Sequence, residues 1–347
     1  MTGADSNSVN GSPFNFSEDL RPWKDAPVLI GSTRFMPLPH TENIMITGGA
    51  GFIASWVVRH LTMTYPAYNI VSFDKLDYCF SLKNTRMPNG TQNFTFYKGD
   101  ITNENEVLDC LGRHNIDTIF HFAAQSHVDQ SFCNSYNFTH TNVYGTHYPH
   151  VLLESARKVG IKWFIHISTD EVYGEAKDDD RDFLETRMLA PTNLYAASKT
   201  AAEMLVHSYL KSFILLVIIA YCTNVFSLHR YPEKIISKFI YQLNRGQPVT
   251  LQGDGSPTRW LLYAGDAASA FDMILHKGQV GQIYNIGADL LEEFQISQST
   301  PGDVQKWDHQ YAIDDTKLRW LGWEQKIQGI SRSVDGYSNQ VTALCGT

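Results

Sequence analysis

The sequence predicts a doubly wound α/β fold of the Rossmann type, a parallel sheet with helices on both faces and a smaller substrate-binding domain at the C-terminal end. Three observations carry this. Short apolar runs alternate with longer helix-like stretches from about Asn43 onward. The first run leads directly into a glycine turn and a helix. The rhythm then breaks after about Tyr221, where Pro232, Pro248, Gly253, Gly255 and Pro257 punctuate the chain. Alternation of strand and helix favours parallel βαβ units.

The expected strands are Ile44–Thr47, Ile70–Asp74, Phe94–Lys98, Thr118–Phe122, Trp163–Ser168 and Ile214–Ile219. Residues 1–40 are rich in Ser, Asn, Pro and Gly and are expected to form a disordered extension. Residues 41–220 then make the dinucleotide domain. Residues 221–347 make the substrate-binding region, with some segments returning to the main sheet. His147-Tyr148-Pro149-His150 interrupts a helical stretch, and Pro149 is expected to break it.

Composition sets limits on function. The chain has 347 residues, 43% hydrophobic and 18% charged, which suits a globular protein with a large core. A formal net charge of -8 disfavours general nucleic-acid binding, which selects basic surfaces. Five scattered cysteines without CxxC spacing suit neither a disulfide framework nor a metal site, so a reduced, cytoplasmic compartment is expected. The longest apolar run, Phe213 to Cys222, is too short to span a bilayer, so no membrane association is expected.

The first strand runs into Gly48-Gly49-Ala50-Gly51-Phe52-Ile53-Ala54. Gly48 permits a tight turn, and Gly51 lets backbone approach a pyrophosphate. Phe52 and Ile53 open a helix whose free N–H groups and dipole favour phosphate. Asp74 closes the next strand, where a carboxylate accepts from ribose hydroxyls and repels a 2′-phosphate, which favours NAD over NADP. Asp100 and Ile101 follow the third strand, on the adenine side. Ala123 and Ala124 end the fourth, where small side chains leave room near the nicotinamide.

Tyr195 and Lys199 stand four apart, on one face of a helix. The ammonium, together with the positive nicotinamide ring, is expected to lower the pKa of the phenol, ordinarily about 10, so that it serves as a base. Thr169-Asp170-Glu171 follows the Trp163–Ser168 strand. Two carboxylates beside a hydroxyl can divide acid and base roles.

The segments Gly48–Ala54, His121–Asp129, Thr169–Gly174 and Tyr195–Lys199 closely resemble the dTDP-/UDP-glucose 4,6-dehydratases of the extended short-chain dehydrogenase superfamily. The similarity runs from about Asn43 to Gly287 and again over Tyr311–Gln325. The resemblance implies a reaction on bound NAD. Tyr195, assisted by Lys199 and Thr169, takes the C4 hydroxyl proton. Glu171 then removes the C5 hydrogen, and Asp170 protonates the departing C6 hydroxyl. It further implies that Ser126, His127, Asp129, Asn224, Glu233, Lys234, Arg259 and Asn285 contact a nucleoside-diphosphate-glucose, and that two copies pair as a homodimer. Two other readings stand beside it: an NAD-binding paralogue with weak or no activity, and an epimerase or decarboxylase of the same superfamily.

The sequence departs from the resemblance on the substrate side. Tyr221-Cys222-Thr223-Asn224-Val225-Phe226-Ser227-Leu228 replaces a segment that usually begins with Arg and ends Gly-Pro. Tyr221 is expected to intrude on the pocket. The stretch between Gly287 and Tyr311 is short, and Gln310 stands where Arg is usual.

Overall fold

The computed structural model describes residues 30–77, 84, 90–124, 149–176, 182–227, 230, 238–239, 242, 245–248, 260–288 and 313–326. Its centre is a seven-stranded sheet in which every neighbouring pair is parallel. The strands are β1 (Asn43–Thr47), β2 (Asn69–Asp74), β3 (Phe94–Lys98), β4 (Thr118–His121), β5 (Trp163–Thr169), β6 (Val217–Cys222) and, after two short strands, β9 (Ile283–Ile286). Their spatial order is β3-β2-β1-β4-β5-β6-β9, the Rossmann order with one strand added at the β6 edge. The two short strands, β7 (Asn224–Phe226) and β8 (Leu261–Tyr263), pair with each other in a separate parallel ribbon.

The strands are apolar on both faces because helices cover both. On one side lie α1 (Phe52–Thr64) and α5 (Ala264–Lys277), with Trp56, Val57, Ala267 and Phe271 packed against Ile44, Ile46, Phe120, Ile165 and Ile218. On the other lie α2 (Glu104–Arg113), α3 (Pro149–Val159) and α4 (Leu194–Phe213), packed against Met45, Ile119, Phe164, Val217 and Ile219. Successive strand residues alternate between these two cores, as the period of two requires. The short α6 (Thr316–Trp320) lies beyond β9.

Two readings differ from expectation by more than a residue. Ile214 does not open the sixth strand but caps α4 in the left-handed region at φ 58°, and β6 begins only at Val217. α3 is described from Pro149 onward, and the helical stretch expected ahead of it lies outside the described residues. Residues 30–40, read as part of the extension, are laid along α1 and α5. Ser32 N–H donates to Ser269 Oγ at 2.7 Å, and the N–H groups of Phe35 and Leu38 donate to the hydroxyls of Tyr65 and Tyr68 at 3.0 and 2.7 Å.

That segment is tied to a buried carboxylate. Asp272 on α5 accepts from Thr33 Oγ1 at 2.6 Å and Tyr65 OH at 2.9 Å, with His60 Nε2 at 3.0 Å and His276 Nδ1 at 2.9 Å. Burial pushes its pKa up, but the hydrogen bonds from His276, His60 and Thr33 outweigh that and hold it below the usual range. A depressed folded value means a contribution that is full above the ordinary carboxylate pKa of about 4 and lost as pH falls through the folded one. Replacing Asp272 by Asn is expected to cost about 3 kcal/mol at neutral pH. Melting curves across pH test this: the difference from wild type should shrink in acid, and a pH-independent difference refutes the assignment.

Candidate active site

Parallel pairing sends every strand's C-terminal end to one edge of the sheet, and the candidate residues gather there. β1 ends at Thr47. Gly48 then turns the chain at φ +68°, in the left-handed region, and its N–H donates to Phe73 O at 2.8 Å. A Cβ at Gly48 would sit 2.9 Å from the Ala123 Cα, so glycine is required by both conformation and space. Gly51 is the N-cap of α1 and supplies no capping side chain. The first-turn N–H groups, including those of Phe52 and Ile53, have no intrahelical acceptor. This cradle fits a dinucleotide pyrophosphate.

Asp74, at the tip of β2, braces the turn from the side. Its carboxylate accepts from Ala50 N–H at 3.0 Å and Leu76 N–H at 2.8 Å, and burial pushes its pKa up. Asn84 holds the turn from another direction, its amide donating to Ala50 O at 2.9 Å. Asp100 accepts from Thr102 N–H at 2.9 Å, and Ile101 lies beside it, half-buried. Ala123 N–H donates to Thr47 Oγ1 at 3.2 Å. Thr47 Oγ1 also lies 2.9 Å from His121 Nδ1, which fastens the end of β4 to the end of β1. Ala124 follows, half-buried.

β5 ends in the Thr169-Asp170-Glu171 turn, a single 3-10 turn over Asp170–Tyr173. Thr169 caps it, Oγ1 accepting from Glu171 N–H at 3.4 Å and donating to Asp170 Oδ1 at 3.2 Å. Asp170 is buried; Glu171 is half-buried. Gly174, at φ +80°, closes the turn against Ala190 O. Tyr195, on the first turn of α4, lies beside the Thr169 side chain, which favours its ionised form. The structure thus brings Thr169, Asp170, Glu171 and Tyr195 together.

The protein's own groups raise the phenol's pKa. Burial raises the pKa of the Tyr195 phenol, and the negative charges of Glu171 and Asp170 raise it further. Lys199 Nζ donates to Ile167 O at 2.7 Å. Burial lowers the Lys199 pKa to about 8 against an opposing pull from Glu203. Beneath the lysine lie two buried histidines with ring centroids 5.5 Å apart. His121 is pushed down to about 3 by burial and by Lys199, and His166 falls well below its usual range for the same reasons. Both rings are therefore neutral.

Two further expectations resolve differently. Tyr221 does not enter a pocket. It is fully buried, its hydroxyl donating to Glu203 Oε1. Asn285, read as a substrate contact, is also fully buried. Its Nδ2 donates to Phe183 O at 2.8 Å and Asp314 O at 2.9 Å, and its Oδ1 accepts from Tyr173 OH at 3.0 Å. The side chain is a rivet between β9 and the segments at 183 and 314. Asn224 lies half-buried at the start of β7. Ser126, His127, Asp129, Glu233, Lys234 and Arg259 lie outside the described residues.

Sequence reasoning passed over Asn193. It caps α4, Oδ1 accepting from Ala196 N–H at 2.8 Å, and its Nδ2 donates to Glu171 Oε2 at 2.9 Å. An Asn just ahead of a helical run is a recognisable start signal. Its second bond depends on the tertiary approach of two segments.

Comparison with known proteins follows the same lines. The family model for GDP-mannose 4,6 dehydratase matches residues 45–300. A trifunctional UDP-glucose 4,6-dehydratase/UDP-4-keto-6-deoxy-D-glucose 3,5-epimerase/UDP-4-keto-L-rhamnose-reductase of Arabidopsis thaliana is 45% identical over 320 residues, covering 86% of this chain and 47% of the plant protein. The chain thus spans about half the length of that relative. A dTDP-D-glucose 4,6-dehydratase of Mus musculus is 40% identical over 324 residues, 87% of this chain and 90% of the mouse protein. The crystal structure of a dTDP-glucose 4,6-dehydratase from Streptomyces venezuelae, with NAD bound, superposes with a TM-score of 0.77 at 32% identity. That match covers 86% of this chain and 95% of the other. A family match over most of the chain, with relatives of this identity, leaves one assignment: the protein belongs to the GDP-mannose 4,6-dehydratase family.

Proposed function

We propose that the protein is a nucleoside-diphosphate-glucose 4,6-dehydratase, converting dTDP- or UDP-glucose to the 4-keto-6-deoxy sugar nucleotide with NAD as its cofactor. The observation that carries this is the acidic Thr169-Asp170-Glu171 turn beside Tyr195, at the strand edge that also bears the glycine cradle. A simple dehydrogenase has no use for two carboxylates there. Elimination of water needs one to donate a proton and one to accept.

In this reading Gly48, Gly51, Phe52 and Ile53 hold the NAD pyrophosphate, and Asp74 the adenosine ribose. Asp100 and Ile101 border the adenine, and Ala123 and Ala124 border the nicotinamide side. NAD, when bound, supplies a reversible hydride acceptor and a positive ring. Tyr195, donating or accepting through Thr169, takes the C4 hydroxyl proton. The opposing charge of Glu171 means that the phenol gives up its proton only when positive charge stands nearby. Lys199 holds positive charge at that end of α4, anchored to Ile167 O. Glu171 removes the C5 hydrogen, and Asp170 delivers a proton to the departing C6 hydroxyl. Asn224 faces the sugar side. Ser126, His127 and Asp129 line the glucose, and Glu233, Lys234 and Arg259 meet the nucleotide and its diphosphate, by the resemblance stated above. Exposed Leu194, Met204 and Phe213 on α4 suit pairing of two copies through that helix. Buried, free Cys110 and Cys222 accord with a cytoplasmic site of action.

The direct test is incubation with NAD and each of dTDP-glucose and UDP-glucose, followed by mass analysis. A product lighter by one water is expected, and its yield from each nucleotide identifies the base preferred. A product of unchanged mass indicates an epimerase instead, and bound NAD without product indicates an inactive paralogue.

Glu171→Gln is expected to slow exchange of the C5 hydrogen with solvent by about 100-fold or more, while the first hydride transfer survives. Wild-type exchange in that variant would remove Glu171 from the mechanism. Gly48→Ala must place a Cβ against Ala123 in a left-handed conformation costing about 1–2 kcal/mol. Its affinity for NAD is expected to fall about tenfold or more, read by titration of the purified protein; an unchanged affinity would place the pyrophosphate elsewhere.

A further inference from the structure

Asn193 is joined to two elements by one planar group. Its Oδ1 accepts from Ala196 N–H at 2.8 Å, which caps the helix that carries Tyr195 and Lys199. Its Nδ2 donates to Glu171 Oε2 at 2.9 Å, on the turn that carries both carboxylates. Because the amide is rigid, anchoring its oxygen at the helix start fixes the direction in which its nitrogen points. The bond to Glu171 is thereby aimed by α4 itself. Glu171 is half-buried and has three rotatable side-chain bonds. A hydrogen bond to one carboxylate oxygen sets the direction of the other.

We propose that Asn193 is a positioning residue for Glu171, holding its carboxylate toward the C5 hydrogen without touching the reacting atoms. The proposal rests on the dehydratase reading. Among the described residues, the ionisable groups near this point include Asp170 on the same turn, Tyr195 from α4, and Cys222 from β6, beside Asp170 and Tyr195. Asn193 is a neutral donor among them. A cap that mattered only for the helix would need an oxygen and no donor, and serine or aspartate would serve as well.

That difference supplies the test. Asn193→Ser and Asn193→Asp each keep an oxygen for Ala196 N–H and remove the donor to Glu171. Asn193→Asp also sets a second carboxylate against it. Both are expected to melt within a few degrees of wild type. Both should also retain the first hydride transfer, seen as transient reduced nicotinamide when dTDP-glucose or UDP-glucose is added. Exchange of the C5 hydrogen in deuterated water should slow by about 10–100-fold, more in Asn193→Asp, the scale expected for a misaimed reacting group. A selective loss of C5 exchange supports positioning. If hydride transfer and exchange fall together, or neither changes, the residue is only a helix cap and the proposal is overturned. Absence of C5 exchange in the wild type is a separate result, which overturns the dehydratase reading and this inference with it.

Discussion

The site depends on one constraint, the parallel register of the sheet. Thr47 is paired with Phe73 on one side and His121 on the other, His121 with His166, and Thr169 with Cys222. Since all these strands run the same way, the glycine cradle, Asp74, Ala123 and the acidic turn open on one edge. The interior faces are apolar on both sides of the sheet. A slip of one residue would turn one core's side chains into the other and carry Thr169 away from Tyr195. The Thr47 hydroxyl, shared by His121 and Ala123 N–H, locks the register where the cofactor edge begins.

Charge is arranged on that edge by burial as much as by pairing. A Tyr-x-x-x-Lys spacing read alone invites the simple account of an ammonium beside a phenol. The folded protein gives a different balance. Lys199 is turned into the backbone, where Ile167 O takes its proton donor, while the two carboxylates lie on the phenol's side. The protein groups therefore hold Tyr195 neutral. They make its loss of a proton conditional on a cation arriving at the same edge, which couples base strength to cofactor binding. The neutral His121 and His166 beneath add no competing charge.

What could be read from the residues was whatever depends on local order. The glycine turn, the ends of the first three strands and the Tyr/Lys spacing are each set by a few neighbouring residues, and the structure places them as their patterns imply. The β3 bounds, Phe94–Lys98, coincide with expectation. The misreadings share a different physical cause. Ile214 has a strand-forming side chain, yet it continues out of α4 in a left-handed cap because the helix ends there and not earlier. Residues 30–40 look like a linker by composition, yet hydroxyls and a carboxylate from α1, α5 and the α1–β2 loop hold them. Asn285 has the chemistry of a ligand contact, and tertiary packing spends all of it internally. None of these partners is near in sequence.

The same packing explains how the chain departs from its relatives' usual pattern at Tyr221 without blocking the site. The phenol lies edge-on to Tyr173, with ring centroids 5.0 Å apart, and donates to Glu203 on α4. Tyr173, at the end of the acidic turn, donates in turn to Asn285 on β9, which reaches Phe183 O and Asp314 O. A continuous buried path thus runs from the Tyr/Lys helix through β6 and the turn to the sheet's last strand. The hydroxyls of Tyr221 and Tyr173 and the amide of Asn285, each costly to bury alone, have a partner supplied by the next element. Burial of Tyr221 raises its pKa, and the Glu203 charge raises it further, so the phenol keeps its proton and remains a donor. The bulky residue packs against Tyr173, the last residue of the acidic turn, so the side chain that the sequence marked as an obstruction supports that turn from within the core.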